Sequence, residues 1–217
     1  MRYDNCMNFH FISLFPEVFE SYLASSILKR ATDDKKISFS FYNPRDHTNN
    51  RAKQVDDKPY GGGPGMVIQA EPVIKAIDKA LGKKKNVLII HLSPTGKPFT
   101  TGEAQKIQKE YKHIVVVCGR YEGIDSRVKD VFPGVEYTIG DYVLTGGELP
   151  AMIISDAVAR FIPGVLGKFE SNETERAASH NMYTRPEILK YKKKTYGVPE
   201  VLVGGDHKKI EEWRRKN

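Results

Sequence analysis

The chain reads as an α/β protein built on a mostly parallel sheet with helices on both faces. Three observations predict this. The stretches at 86–92 (NVLIIHL) and 113–118 (HIVVVC) are almost continuously apolar, as strands are when both faces of a sheet are covered. Apolar residues at helical spacing separate such runs, over 71–81, 101–111 and 148–161. A length of 217 residues holds one large domain with a small appendage.

Taken in order, residues 8–14 read as a first strand. Pro16 then sits at a helix N1 position, and Val18, Phe19, Tyr22, Leu23, Ile27 and Leu28 recur at helical spacing. Residues 36–42 alternate polar and apolar, the pattern of a half-buried strand. Residues 43–65 carry no period and exceed the roughly 12–15 residues of an ordinary connection. Their Arg, Lys, Asp and Tyr content and closing glycine cluster suit a loop that touches substrate. Helix 71–81, strand 86–92, helix 101–111, strand 113–118, a shorter strand at 134–139 and helix 148–161 complete the body. The pattern weakens after Pro163-Gly164. Residues 168–182 read as an interdomain linker, and 183–217 as a small, basic, helical C-terminal region.

The net charge of +7 is unevenly placed. Residues 176–217 carry 11 Lys and Arg against 5 Asp and Glu, whereas the preceding residues carry 23 against 22. A near-neutral body with a basic tail fits a polyanionic partner such as nucleic acid, or a solvated terminal helix; charge alone leaves both open. Cys6 and Cys118 form no disulfide framework or metal-ligand cluster, and Cys118 closes a buried run. With neither a membrane span nor an apolar leader in the sequence, the expected location is the cytoplasm.

Three of the strands end in loops of one character: 92–96 (LSPTG), 118–123 (CGRYEG) and 139–144 (IGDYVL), the last running on through Thr145 to Gly146 and Gly147. In a parallel sheet all three lie at the carboxyl edge, where open α/β sheets bind ligands. Their glycines admit close backbone approach, and Pro94, Tyr121, Tyr142 and Leu144 supply apolar and ring surface. Each loop alone is as well read as a tight turn. Three in register favour a site for a flat heterocycle read by backbone groups.

These segments, with SLFPE at 13–17, PRD at 44–46, VDDKPYGGGPGM at 55–66, CGRYEGID at 118–125, IGDYVLTGGELP at 139–150, RFIPGVLG at 160–167 and YTRPE at 183–187, run collinearly along nearly the whole chain. The sequence resembles the bacterial tRNA (guanine-N1)-methyltransferase family, of the SPOUT class. The resemblance implies a methyltransferase domain at 1–167 whose part from about residue 86 is tied into a deep trefoil knot, an exception to the rule against threaded loops. It implies a homodimer with its active site between subunits. It implies S-adenosyl-L-methionine held by Leu92, Ser93, Pro94, Gly119, Tyr121, Glu122, Ile139, Gly140, Asp141, Tyr142, Val143, Leu144, Gly146 and Gly147. The implied substrate is the guanine immediately 3′ of the anticodon, position 37, in the anticodon stem-loop of tRNA, methylated at N1.

Guanine N1 carries a proton, so the chemistry needs a base there and a cation near O6. Arg160 matches the family's catalytic arginine, though its spacing also suits an ion pair with Asp156. The family's usual aspartate is missing: counting from Gly167 puts Glu175 in the position of the base, with Glu173 the rival. Glu122 is a candidate to position Mg²⁺ or the guanine edge, and no complete metal site is read. The stretch between Glu175 and Tyr183 and the tail beyond Trp213 are shorter than the family pattern, which implies a reduced C-terminal tRNA-binding domain with a weaker or differently distributed grip on the anticodon stem. Two alternatives stay open: a related enzyme acting on another RNA position, and a catalytically reduced RNA-binding protein that keeps the knot.

Overall fold

The computed structural model describes residues 6–166 and 181–216. The chain divides into two compact units, Met1–Leu166 and Gly167–Asn217.

In the first unit, strand β1 (Met7–Ile12) is followed by a 3-10 turn (Pro16–Phe19) and helices α1 (Glu20–Leu23) and α2 (Ser26–Asp33). The single helix expected from the 16–28 spacing is thus broken. Ser26 adopts a φ of +48°, a left-handed conformation that cannot continue a right-handed helix. Strand β2 (Ile37–Tyr42), the short pair β3 (Asp56–Asp57) and β4 (Val67–Ile68), and helix α3 (Ala70–Leu81) come next. Then follow β5 (Val87–Pro98), α4 (Thr101–Glu110), β6 (His113–Val117), the short α5 (Arg127–Val131), β7 (Val135–Thr138) and α6 (Glu148–Ala159).

Five strands form one parallel sheet in the order β2-β1-β6-β5-β7. The continuous apolar runs have the predicted cause. In β6, Ile114 and Val116 face a core built with Phe9, Phe11, Phe19, Ile107, Ile154 and Val158, while Val115 and Val117 face a second core with Val73, Ala76, Ile77 and Val128. Helices α1, α2, α4 and α6 therefore cover one face, and α3 and α5 the other. Phe11 and Phe19 stack with ring centroids 4.6 Å apart, and each such fully buried side chain contributes about 1.5–3 kcal/mol.

One strand departs from expectation in a way that shapes the site. β5 does not stop at Leu92. Both Leu92 and Lys97 pair with Tyr137 of β7, so residues 93–96 bulge out and the chain returns to the same partner. A Cβ on Gly96 would lie 2.8 Å from the Tyr137 backbone nitrogen, so only glycine fits where the bulge closes.

In the second unit, a hairpin of β8 (Ile188–Tyr191) and β9 (Lys194–Gly197) precedes α7 (Glu200–Val203) and α8 (His207–Lys216). The region expected to be helical therefore also contains strands, formed where Ile188, Tyr191, Thr195 and Tyr196 bring β-favouring side chains. No described residue of this unit is buried.

Candidate functional site

The carboxyl ends of β5, β6 and β7 lie side by side, with His91 opposite Val117 and Leu92 opposite Tyr137. The three glycine-bearing loops that leave them line an open cleft of about 170 Å³. Of the residues expected to hold a cofactor, Leu92, Ser93, Pro94, Gly119, Tyr121, Glu122, Ile139, Tyr142, Val143, Leu144, Gly146 and Gly147 line it. Gly140 and Asp141 do not. They form the bend that follows β7, where the Thr138 hydroxyl donates to the Gly140 carbonyl at 2.9 Å.

Two contacts fix how the loops meet. The Gly147 N–H donates to the Gly119 carbonyl at 2.9 Å, and Arg120 bridges Gly146 in antiparallel fashion. A Cβ on Gly147 would fall 2.7 Å from the Cys118 Cα, so α6 can begin this close to β6 only at a glycine. Tyr121 sits at φ +57° with its ring half exposed beside the cleft, a conformation that costs a non-glycine residue of order 1–3 kcal/mol and clusters at ligand sites.

The end of the long 43–65 loop is fastened to the same place. The Glu122 N–H donates to the Met66 carbonyl at 3.0 Å, the Ile68 N–H to the Gly123 carbonyl at 3.0 Å, and the Asp125 N–H to the Ile68 carbonyl at 2.9 Å. Gly65 lies against the Glu122 side chain.

The cleft has few charges, chiefly Arg120 and Glu122. Arg120 turns away from solvent: its Nε lies 3.0 Å from Oε2 of Glu148, its Nη1 donates to the Thr145 carbonyl at 3.4 Å, and its guanidinium stands 4.7 Å over the Phe15 ring. Glu148, the first residue of α6, is buried, and its Oε1 accepts from the Ser13 hydroxyl at 2.7 Å. Below the cleft the Tyr137 hydroxyl donates to Glu103. Burial and that bond push the Tyr137 hydroxyl well above its ordinary range. Burial likewise raises the Cys118 thiol, which suits a packing residue rather than a nucleophile.

Sequence reasoning did not single out Arg120, Thr138, Thr145, Pro150 or Glu148. The motifs CGRYEG and IGDYVLTGGELP contain all of these but Thr138, which immediately precedes the second; which side chains turn inward is not periodic and left no local signal.

Arg160 is the C-cap of α6. A helix rise of 1.5 Å per residue sets its Cα roughly 18 Å from that of Glu148, at the far end from its own chain's cleft. The Asp156 carboxylate accepts from the Tyr22 hydroxyl at 2.5 Å, a bond that pushes Tyr22 up to about 12. Glu173 and Glu175, the two candidates for the base, lie outside the described residues. No three His, Cys, Asp or Glu side chains among the described residues are grouped to hold a metal ion. No helix among them is long and apolar enough to cross a membrane.

Comparison with known proteins places this geometry in context. The family model described as tRNA (Guanine-1)-methyltransferase TrmD matches residues 7–217. The chain is 46% identical over 216 residues to the tRNA (guanine-N(1)-)-methyltransferase of Bacillus pumilus (strain SAFR-032), an alignment spanning 97% of this chain and 86% of that protein. It is 44% identical over 213 residues to the protein of that name from Pseudoalteromonas atlantica (96% and 78%). It is also 44% identical over 216 residues to the one from Clostridioides difficile (97% and 91%).

Proposed function

The chain belongs to the tRNA (guanine-1)-methyltransferase family, and we propose that it methylates N1 of the guanine immediately 3′ of the anticodon, position 37, in tRNA. The observation that carries this reading is the cleft at the carboxyl edge. Twelve of the residues expected to hold S-adenosyl-L-methionine line it, on three loops brought together from different strands.

The cleft fits that cofactor in kind. Leu92, Pro94, Ile139, Val143, Leu144 and the rings of Tyr121 and Tyr142 offer apolar walls for a flat purine. The glycine-bearing turns leave backbone amides and carbonyls for its polar edges. When bound, the cofactor supplies an electrophilic methyl group on a sulfonium. The protein's own tasks are to orient guanine, take up its N1 proton and hold the charge that develops on O6. Arg160 is assigned to O6, where a guanidinium fork suits an oxygen gaining negative charge. Glu175, or Glu173, is assigned to the N1 proton. Glu122 is the residue we assign to Mg²⁺ where the reaction uses one.

Two features support a homodimer with its site between subunits. Arg160 is remote from its own chain's cleft along α6. The same helix leaves Leu149 and Ile153 exposed, as the neighbouring turn leaves Val18 and Tyr22, a face that a second copy would cover. We assign the expected trefoil knot to this part of the chain, where the Gly119 and Gly146–Gly147 segments meet. The basic C-terminal unit, with Tyr183 and Trp213 ring centroids 6.1 Å apart, is the part we assign to the anticodon stem, and the cytoplasm is where tRNA would meet it.

Methyl transfer from labelled S-adenosyl-L-methionine, with tRNA carrying or lacking guanine at position 37, tests the reading. Incorporation that requires that guanine supports it. Tight cofactor binding without incorporation overturns it, and incorporation regardless of position 37 points to another RNA site. Replacing Glu175 and Glu173 separately by Gln assigns the base, since unchanged rates in both would reject each.

A further inference from the structure

The carboxylate of Glu148 is buried, with 2% of the side chain exposed, far from any role in the chemistry assigned above. Burying a carboxylate is costly unless it is paired. Its two oxygens serve two different segments: Oε1 accepts from the Ser13 hydroxyl at the end of β1, and Oε2 faces Arg120 Nε at 3.0 Å. The Ser13 oxygen in turn accepts from the Phe15 N–H at 3.0 Å, and the Phe15 ring lies under the Arg120 guanidinium. The Arg120 Nε and Glu148 Oε2 face each other without an aligned hydrogen bond, so charge rather than directional bonding holds this arm.

Both ends of the pair border the cleft. Arg120 lies in the loop that carries Gly119, Tyr121 and Glu122, and Glu148 immediately follows Gly146 and Gly147. The carboxylate therefore stands where the loop after β6, the start of α6 and the turn after β1 converge. We propose that Glu148 is a positioning residue: through Arg120 and Ser13 it sets the spacing of the two loops that close the cofactor cleft. The inference rests on the cofactor reading of that cleft for its functional consequence, but its structural content is independent of it.

The loops' backbone bonds make this measurable without ligand. The amides of Glu122, Gly123 and Gly147 are held by Met66, Arg120 and Gly119 carbonyls respectively. In the full chain, Glu148→Gln keeps size and a hydrogen-bonding partner for Ser13 but removes the charge that holds Arg120. Hydrogen exchange at those three amides should accelerate about tenfold while Val115, Val116 and Val117 in β6 keep wild-type protection. Calorimetric affinity for S-adenosyl-L-methionine should fall by about the same factor, a loosened support costing binding geometry. Ser13→Ala should do the same more weakly, and Arg120→Gln combined with Glu148→Gln should be no worse than Arg120→Gln alone.

Unchanged exchange at the three amides would overturn the proposal. So would uniform acceleration that includes β6, which marks a general stability role, or additive losses in the double variant. Selective acceleration in a protein whose wild type binds no S-adenosyl-L-methionine would uphold the positioning role and reject the cofactor reading instead.

Discussion

Residues 6–166 bury Phe9, Phe11, Phe19 and two aliphatic layers, whereas residues 181–216 bury none of their side chains. In the first region apolar area removed from water holds a sheet rigid enough to fix three loops around a cleft. In the second, 36 described residues cannot close a core, and Tyr183, Ile188, Leu189, Tyr191 and Tyr196 stay exposed beside Lys190, Lys192, Lys193 and Lys194. One region is preformed; the other keeps its apolar and charged groups available to a partner. Cofactor binding and the stabilisation of charge by Arg160 should then depend on the first and grip on the second.

The largest expected effect tests the first half of that contrast. Arg160→Ala should lower the single-turnover methylation rate about 100- to 1000-fold, the scale for losing a donor to developing charge, with tRNA affinity near wild type. A fall in affinity without a fall in rate would break the division. Gly147→Ala should destabilise the first unit by about 2–3 kcal/mol through its clash with Cys118 and weaken cofactor binding; urea denaturation and calorimetry would measure both. A wild-type midpoint would show that α6 can shift.

The amino edge of the same sheet predicts a pH dependence. His10 is buried on β1, with His113 Nδ1 3.3 Å and the Tyr42 hydroxyl 3.5 Å from its ring nitrogens. Burial first, then the charges of Lys84 and His113, lower its pKa to about 4 from an ordinary 6.5. Between those values the unfolded chain binds the proton and the folded chain does not. Stability is therefore full above about pH 6.5 and is lost as pH falls towards 4, by about 2 kcal/mol between pH 7.5 and 5. Burial lowers His113 as well, in the same sense. His10→Asn should flatten the slope measured by urea midpoints.

The smallest effect sharpens the second half. Replacing Lys190, Lys192, Lys193 and Lys194 together by Ala should weaken tRNA affinity about tenfold at moderate salt and shallow its salt dependence, while leaving the urea midpoint of the sheet unit unchanged. An undiminished salt slope would place the phosphate contacts elsewhere.

How much was legible follows the range of the forces. The runs at 86–92 and 113–118, the helical spacing of 71–81 and 101–111, and the glycine loops are patterns within a dozen residues, and each appears where expected. The helix predicted over 16–28 failed because Ser26 takes a conformation that apolar spacing does not encode. The hairpin at 188–197 was obscured by four lysines, whose charge suggested a solvated helix.

By itself the sequence determined the layered α/β class, the three glycine-bearing loops and the family, because local periodicity and collinear motifs are written in neighbouring letters. Only the tertiary structure decided that β5 bulges and rejoins Tyr137, that Gly140 and Asp141 do not line the cleft, and that Glu148 meets Arg120 and Ser13. Ser13 and Glu148 are 135 positions apart. Such pairings arise because a buried charge must find its partners wherever folding brings them, and the order of the chain leaves that choice open.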